Sequence, residues 1–598
     1  MAIENMITDH LDLWTAAVRP KSSAGRGSNS NSNSKLELTG IKKLRELILE
    51  LAVRGKLVPQ DPNDEPASVL LERIAVEKAR LVKEGKIKKP KALAEIGEEE
   101  KPFGLPEGWE WCRVENISMF ITSGSRDWAK YYSDSGAKFV TMSNLSRESY
   151  SLRMDNMRYV NPPLDGEGSR TKLEENDLLI SITGEVGNLA LIPSGFGEAY
   201  INQHTCLVRF MPVLRNRYLP EFMKSPCAKF QFNAPQRGIK NSFRLGDVGE
   251  LIVSLPPENE QQRIVSKVDE LMALCDQLEL CSESQLAAHQ TLVETLLVTL
   301  TDSCDADELA QNWARLSTHF DILFTTEASI DALKQSILQL AVMGKLVPQD
   351  PSDEPASALL ERIAAEKARL VKEKKIKKEK PLPAISENEK PFELPQGWEW
   401  CHLKDIITIM DAGWSPACPP ESSPDIDTWG VLKTTAVQTL EYREYENKVL
   451  DQTKTPRPEY EVMVGDILIT RAGPKNRVGI SCLVEKTRPK LMISDKIIRF
   501  HLVEVGLSER FISLCLNAGA TAVYIDDSKS GMAESQMNIS QDKLKLAPIP
   551  LGPIKEQNHI MDRVDQLMTL CDQLKVCLQT SQQTQLALAE SLVEGALA

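Results

Sequence analysis

Residues 51–89 return almost unchanged 289 residues later. The run LAVRGKLVPQDPNDEPASVLLERIAVEKARLVKEGKIKK, Leu51 to Lys89, reappears as LAVMGKLVPQDPSDEPASALLERIAAEKARLVKEKKIKK, Leu340 to Lys378, with five differences in 39 positions. The same offset carries PFGLPEGWEWC, from Pro102, onto PFELPQGWEWC, from Pro391. A third pair, VDELMALCDQLELC ending at Cys281 and VDQLMTLCDQLKVC ending at Cys577, lies 296 residues apart. Solenoid repeats recur every ~20–50 residues, so this much longer period marks a duplicated set of domains with a pseudo-two-fold relation. Between the flanks, over 115–245 and 404–543, the copies look unrelated. The chain reads flank, variable module, flank, written twice.

The flanks carry helical spacing. Ile41, Leu44, Ile48 and Leu51 step 3-4-3, and Ile330, Leu333, Ile337 and Leu340 repeat that pattern. Gly55 and Gly344 follow these runs at the place where a helix terminates. A further helix is predicted from Ala67 to Lys83, and again from Ala356 to Lys372, each opening on Asp-Glu-Pro. The trailing flanks hold heptad seams: Ile264, Val268, Leu271, Cys275 and Leu278, then Ile560, Val564, Leu567, Cys571, Leu574 and Leu578. Such a seam demands a helical partner. The modules read differently. Short apolar strands such as DLLISI from Asp177 and GDILIT from Gly465 alternate with loops rich in Gly, Pro, Ser and Asn. Trp109, Trp111, Trp398 and Trp400, at the module starts, read as core residues.

The division that follows is a tail with a Gly/Ser/Asn linker (1–34), a helical region (35–100), a first module (101–257), a central helical region (258–390), a second module (391–553) and a C-terminal helix (554–598). No apolar run approaches the ~20 residues of a membrane helix. The opening MAIENMITDHLDLW carries acids and lacks the continuous apolar core of a secretory signal. Twelve cysteines without a CxxC pair point to neither a disulfide framework nor a zinc ribbon, and suit the cytoplasm.

A search for catalytic chemistry finds little. No GxxxxGK[ST] is present, so no P-loop site is expected. The seven histidines never fall as HxH or HxxxH, and His204 and His402 read as surface or satisfied residues. Tyr159-Val-Asn-Pro-Pro-Leu resembles the Asn-Pro-Pro-aromatic motif of amino-group DNA methyltransferases, in which the aromatic ring stacks on a flipped base. Here Leu164 stands in place of the aromatic, and no strand with a Gly-rich turn for S-adenosylmethionine precedes it.

Charge becomes informative locally. The chain as a whole is acidic, with formal charge −14. Yet Leu207 to Leu245 holds eight Lys/Arg against Glu221 alone, and Arg471 to Arg499 holds eight against Glu485 and Asp495. Clustered cations supply the phosphate attraction behind nucleic-acid affinity, and interleaved Gln236, Asn241, Ser242 and Asn476 carry groups suited to base edges.

The motifs LPEGWEW and LPQGWEW, DLLISITGEVGNLAL and GDILITRAGPKNRVG, and the exits SLPPENEQQRIVSKVDELMALCDQL and PIPLGPIKEQNHIMDRVDQLMTLCDQL resemble, in order and twice, the specificity subunit of type I restriction–modification systems. The match covers the chain from about residue 35 onward. The resemblance implies an α+β fold: two globular α/β target-recognition domains separated by an antiparallel helical coiled-coil spacer, related by a pseudo-two-fold repeat. It implies that each domain reads one half of a split site in double-stranded DNA and that the helices set the half-site separation. Two methyltransferase subunits would dock on the helices, and ATP-dependent restriction/translocase subunits would join them. It implies no active site, cofactor or metal in this chain, with S-adenosylmethionine, ATP and Mg2+ on the partners, and no membrane.

The residues chosen as DNA contacts are Ser123, Ser125 and Arg126 in one loop of the first module, and Gln236, Arg237, Lys240 and Asn241 in another. In the second module they are Trp414, Arg471, Lys475, Asn476 and Arg477, with Lys529, Ser530 and Gln536 in a further loop. Arg pairs naturally with guanine, and Gln or Asn with adenine. Two other functions are open to the same sequence: a stand-alone DNA adenine methyltransferase built on Asn161-Pro162-Pro163, and a coiled-coil adaptor that does not touch DNA.

Overall fold

A computed structural model describes residues 7–20, 36–89, 93–162, 168, 171–233, 243–303, 306–378, 382, 385 and 390–597. The chain divides into two compact units. One takes the residues up to 20, 36–284 and 582 onward, and the other takes 285–581.

In the first unit a short helix α1 (Leu11–Ala16) lies against α2 (Thr39–Val53), and Trp14 is buried between them. Ile41, Leu44, Ile48 and Leu51 of the expected helical stripe are all buried. The helix stops where its sequence asks it to. Gly55 takes φ +67°, and Lys56 N–H closes onto Leu51 O at 2.9 Å, a glycine-terminated helix end. Helix α3 (Ala67–Lys83) has the expected bounds.

The first module opens on β1 (Glu110–Arg113), which pairs antiparallel with the strand that closes it. Between them run β2 (Ser118–Ser123), β3 (Tyr132–Ser133), β4 (Ala137–Val140), β5 (Arg158–Val160), β6 (Leu178–Ser181), β7 (Leu189–Leu191), β8 (Ala199–Ile201) and β9 (Thr205–Phe210), then helices α4 (Tyr218–Lys224) and α5 (Pro226–Asn233), and the closing β10 (Ile252–Leu255). One sheet has the order β2-β9-β6-β7, antiparallel throughout; a second has the order β8-β4-β5-β3 with β8 and β4 parallel. Helix α6 (Glu258–Thr301) follows directly. Ile264, Val268, Leu271 and Cys275 of its seam are buried. Arg45 of α2 reaches Asp276 at 2.8 Å and Glu279 at 2.6 Å on the same helix.

The second unit repeats this plan. It contains α7 (Ala306–Thr318), α8 (Glu327–Val342), ending at Gly344 with φ +70°, and α9 (Ala356–Lys372), again with the expected bounds. Its module runs β11 (Glu399–His402), β12 (Ile407–Ala412), β13 (Gly430–Leu432), β14 (Asn447–Val449), β15 (Ile467–Thr470), β16 (Ala472–Gly473), β17 (Ser481–Leu483), β18 (Leu491–Met492), β19 (Ile497–Leu502), α10 (Glu509–Asn517), α11 (Gly519–Asp527), β20 (Met537–Asn538) and β21 (Pro548–Leu551), and then α12 (Ile554–Leu597). The main sheet has the order β12-β19-β15-β17, the same succession as in the first module. So the two modules, unlike in sequence, share the strand order of the main sheet, while their smaller sheets differ. The seam of α12 is covered within this unit: Leu567, Cys571, Leu574 and Leu578 pack with Val293, Leu297 and Leu300 of α6 and with Leu333, Ile337 and Leu340 of α8.

Trp109 and Trp398 are buried, as core residues should be, while Trp111 and Trp400 are half-buried and stack near Phe103 (5.0 Å) and Phe392 (5.1 Å). An arginine ties the main sheet of each module, buried in the first and half-buried in the second. Arg209 on β9 grips Asp177 with two bonds of 2.8 and 2.6 Å, and Arg499 on β19 lies 3.7 Å from Asp466. Both aspartates are fully buried and sit just before the apolar strands DLLIS and GDILIT.

Candidate nucleic-acid interface

Strand register brings the polar loops of each module to one end of its main sheet. In the second module Ala412 pairs with Ile498 and Thr470 with Ile497. The segments after β12, after β15 and before β19 therefore leave at the same rim. Trp414 N–H donates to Ile493 O at 3.1 Å, and Arg471 N–H donates to Lys496 O at 2.8 Å. The strand before Trp414 ends on Gly413 because its backbone presses on Ile493, where a Cβ would fall 1.9 Å from the carbonyl oxygen.

A second loop is stitched to this rim. β16 pairs with β20. Ile539 N–H donates to Arg471 O at 3.0 Å, Lys475 N–H to Glu534 O at 2.7 Å, and Lys529 Nζ to Lys475 O at 2.9 Å. All eight residues chosen from the second module are thus gathered at one place. Their side chains differ in what they can offer. Lys475, Asn476, Ser530 and Gln536 are exposed. Lys529 is nearly covered, with its ammonium on Lys475 O and on Asp526 at 2.6 Å. Arg477 turns inward and donates to Gln438 Oε1 at 2.8 Å, Thr434 O at 3.0 Å and Val437 O at 2.8 Å. Burial, and then the Arg443 charge, lower its pKa from the usual guanidinium value. The Trp414 ring is half-buried, with the Arg457 guanidinium 4.3 Å from its centre.

The first module has the matching rim. Ser123 pairs with Cys206 and Ser181 with Thr205. Gly124 N–H donates to Asn202 O at 3.1 Å, and a Cβ there would lie 2.0 Å from Ile201 O, the same close approach as at Gly413. Ser123 and Ser125 are half-buried and Arg126 is exposed. Gln236, Arg237, Lys240 and Asn241 lie outside the described residues. Phe243, the first described residue after them, sits at this rim, its N–H donating to Ile182 O at 2.8 Å.

Sequence reasoning missed part of this rim. Thr183 Oγ1 and His204 Nδ1 are 2.8 Å apart, Gln203 Nε2 and His204 Nε2 are 2.9 Å apart, and Asn202 Oδ1 accepts from His204 N–H at 3.1 Å. The signal available was the polar Asn202–Thr205 stretch between two apolar strands. In the second module the missed rim residues are Ser415, bonded to Asp495, and Lys496.

The local charge excess is largely neutralised by the fold. In the first module Arg209 binds Asp177 and Glu174, Arg215 binds Glu174 at 3.1 Å, Arg217 binds Asp269, Lys224 binds Glu221 at 3.2 Å, and Lys229 lies 3.5 Å from Glu46. In the second, Arg499 binds Asp411 at 2.7 Å, Lys490 binds Asp427 at 3.1 Å, and Arg488 is held by Thr428 O and Pro489 O. The basic stretches are therefore not continuous patches of available cation; Arg126 and Lys475 are exposed in the rim loops, while other exposed cations, such as Arg153, Lys448 and Lys486, lie elsewhere on the modules. Of the Asn-Pro-Pro-Leu stretch, Asn161 is held by Tyr131 O and Ser133 Oγ, and Pro163 and Leu164 lie outside the described residues. Among the described residues no His/Cys/Asp/Glu cluster suits a metal ion, and no helix is long and apolar enough to cross a membrane.

Known proteins resemble this chain in sequence along its whole length. Residues 106–286 match the family model for the type I restriction modification DNA specificity domain. The chain is 54% identical, over 100% of both chains, to the type I restriction enzyme EcoEI specificity subunit of Escherichia coli. It is 41% identical, again over 100% of both, to the EcoAI specificity subunit of Escherichia coli. A crystal structure of the HsdS subunit from Thermoanaerobacter tengcongensis aligns with 83% of this chain and 98% of its own at 16% identity and a TM-score of 0.40. The chain belongs to the family of type I restriction–modification specificity subunits, the DNA-recognition and non-catalytic members of those systems.

Proposed function

We propose that the two modules read the two halves of a bipartite, asymmetric site in double-stranded DNA, with the rim loops turned to the duplex. One observation carries this reading: two modules of unlike sequence share the strand order of their main sheets, place their polar loops at the same rim, and each precede a 44-residue helix. A common scaffold with different loops is how one fold reads different sequences. Exposed Lys475, Arg126 and their neighbours bind phosphate, and Asn476, Gln536, Ser530 and Ser123 face base edges together with Gln236, Arg237, Lys240 and Asn241.

The helices act as a ruler. At ~1.5 Å per residue, 44 residues span about 66 Å, ample for half-sites one helical turn, ~34 Å, apart. Two methyltransferase subunits dock on the helical flanks and methylate within the site, and restriction/translocase subunits join them in the cytoplasm. S-adenosylmethionine, ATP and Mg2+ reside on those partners. Methylome sequencing tests this in cells expressing the chain together with its methyltransferase subunit. The expected result is one two-part motif, modified only when this chain is present. Modification that persists without the chain, or methyl transfer by the purified chain alone, contradicts it.

A further inference from the structure

Each recognition module is fastened to its long helix by the same two sets of contacts, and the duplication preserves both. In the first unit the third residue of α6, Glu260, is 1% exposed. Its carboxylate accepts from the Trp109 indole at 3.0 Å and from the Gln60 amide at 3.2 Å, and Gln60 also donates to Gly55 O. One buried carboxylate thus gathers the end of α2, the start of the module and the start of α6. In the second unit the third residue of α12, Glu556, accepts from Trp398 at 3.0 Å and from Gln349 at 3.2 Å, and Gln349 donates to Gly344 O.

A second fastening lies nine residues along each helix. Asp269 accepts two bonds from Arg217, at 2.8 and 2.6 Å, and Asp565 accepts one from Arg510 at 2.8 Å. Nine residues of helix separate the two attachments by about 13.5 Å. Two separated points define a direction, which one point cannot. Burial raises the pKa of Glu260 and Glu556 above the ordinary carboxylate value, although each accepts hydrogen bonds from Trp and Gln. A desolvated acid is an expensive way to gain stability, and this chain contains it twice with the same partners.

We propose that Glu260 and Glu556 are positioning residues: they fix the direction in which each module faces from its helix, and so decide which separation of half-sites the subunit accepts. The proposal rests on the reading of the chain as a reader of two-part sites. A domain of 150 residues is about 40 Å across. A swing of about 5° at its foot therefore moves the far side by about 3.5 Å, one base-pair step.

The experiment uses the full chain in cells with its methyltransferase subunit, comparing methylomes for the unaltered chain, Glu260→Ala, Trp109→Phe and Glu260→Gln. Trp109→Phe removes the indole N–H and keeps an aromatic ring in place, so it decides the matter if Glu260→Ala yields no soluble chain. The unaltered chain modifies one spacing. In Glu260→Ala and Trp109→Phe the half-site sequences stay the same. Sites one base pair longer or shorter gain modification by roughly tenfold, the scale of one lost hydrogen bond to a charged group. Glu260→Gln, which still accepts from Trp109, restores the single spacing. Unchanged spacing in every variant, or equal loss at all spacings with no new one, overturns the proposal. Absence of any two-part motif with the unaltered chain overturns instead the reading beneath it.

Discussion

Two residues apart, Lys475 and Arg477 carry the same charge to different ends. Lys475 is exposed at the rim, while the Arg477 guanidinium closes onto Thr434 O, Val437 O and Gln438 Oε1. Lys475→Ala should weaken DNA binding by the assembled complex equally for all sequences. It should also reduce the slope of log affinity against log salt by about 1, as loss of one phosphate contact does; an unchanged slope counts against the assignment. Arg477→Ala should instead cost about 2 kcal/mol of stability, because hydrogen bonds from a charged donor are lost, and urea unfolding of the chain reads this directly. The contrast explains why the basic stretches were legible as composition and illegible as a surface. A count along the chain does not see that Asp177 folds beside Arg209, Asp269 beside Arg217, or Glu46 beside Lys229. Those neighbours lie up to 183 residues away in sequence.

Helix-scale features were the most legible, because their causes are local. The bounds of α3 and α9 follow from Asp-Glu-Pro at one end and the Lys-rich run at the other, and α2 and α8 stop at glycines that take positive φ. The seam partner was less legible: heptad spacing announces a neighbour and does not name it. In the second unit α8 lies along α12, joined by Lys334 to Asp572 and by Lys575 to Asp331 and Glu327. A hydrogen bond from Gln579, then the Lys575 charge, hold the Glu327 carboxyl below its ordinary value. A carboxyl with a depressed folded pKa adds stability above its unfolded value of ~4.3, and loses it as pH falls through the folded value. Lys575→Met should therefore lower the thermal midpoint at pH 7, and the difference from the unaltered chain should shrink as pH falls below the ordinary carboxylate range. A difference independent of pH contradicts this ion-pair account. Sheet order was not legible at all. Strands β6 and β15 could be placed from their apolar runs, but the succession β2-β9-β6-β7 and its counterpart depend on pairings between distant segments, which no local pattern records.

For the molecule as a whole, duplication with divergence is the organising fact. The flanks keep the same anchors, Trp109 with Glu260 and Trp398 with Glu556, while the modules keep the strand order of the main sheet and its arginine–aspartate tie and change the residues of their rim loops. On the proposed reading, a subunit built this way changes half of its target without disturbing the other half or the ruler. The most direct measurement exchanges residues 404–543 for the corresponding module of another family member and sequences the methylome of cells carrying the hybrid with its methyltransferase subunit. The account predicts a motif in which one half and the separation are preserved and the other half is new. A motif altered in both halves, or unaltered in either, contradicts it.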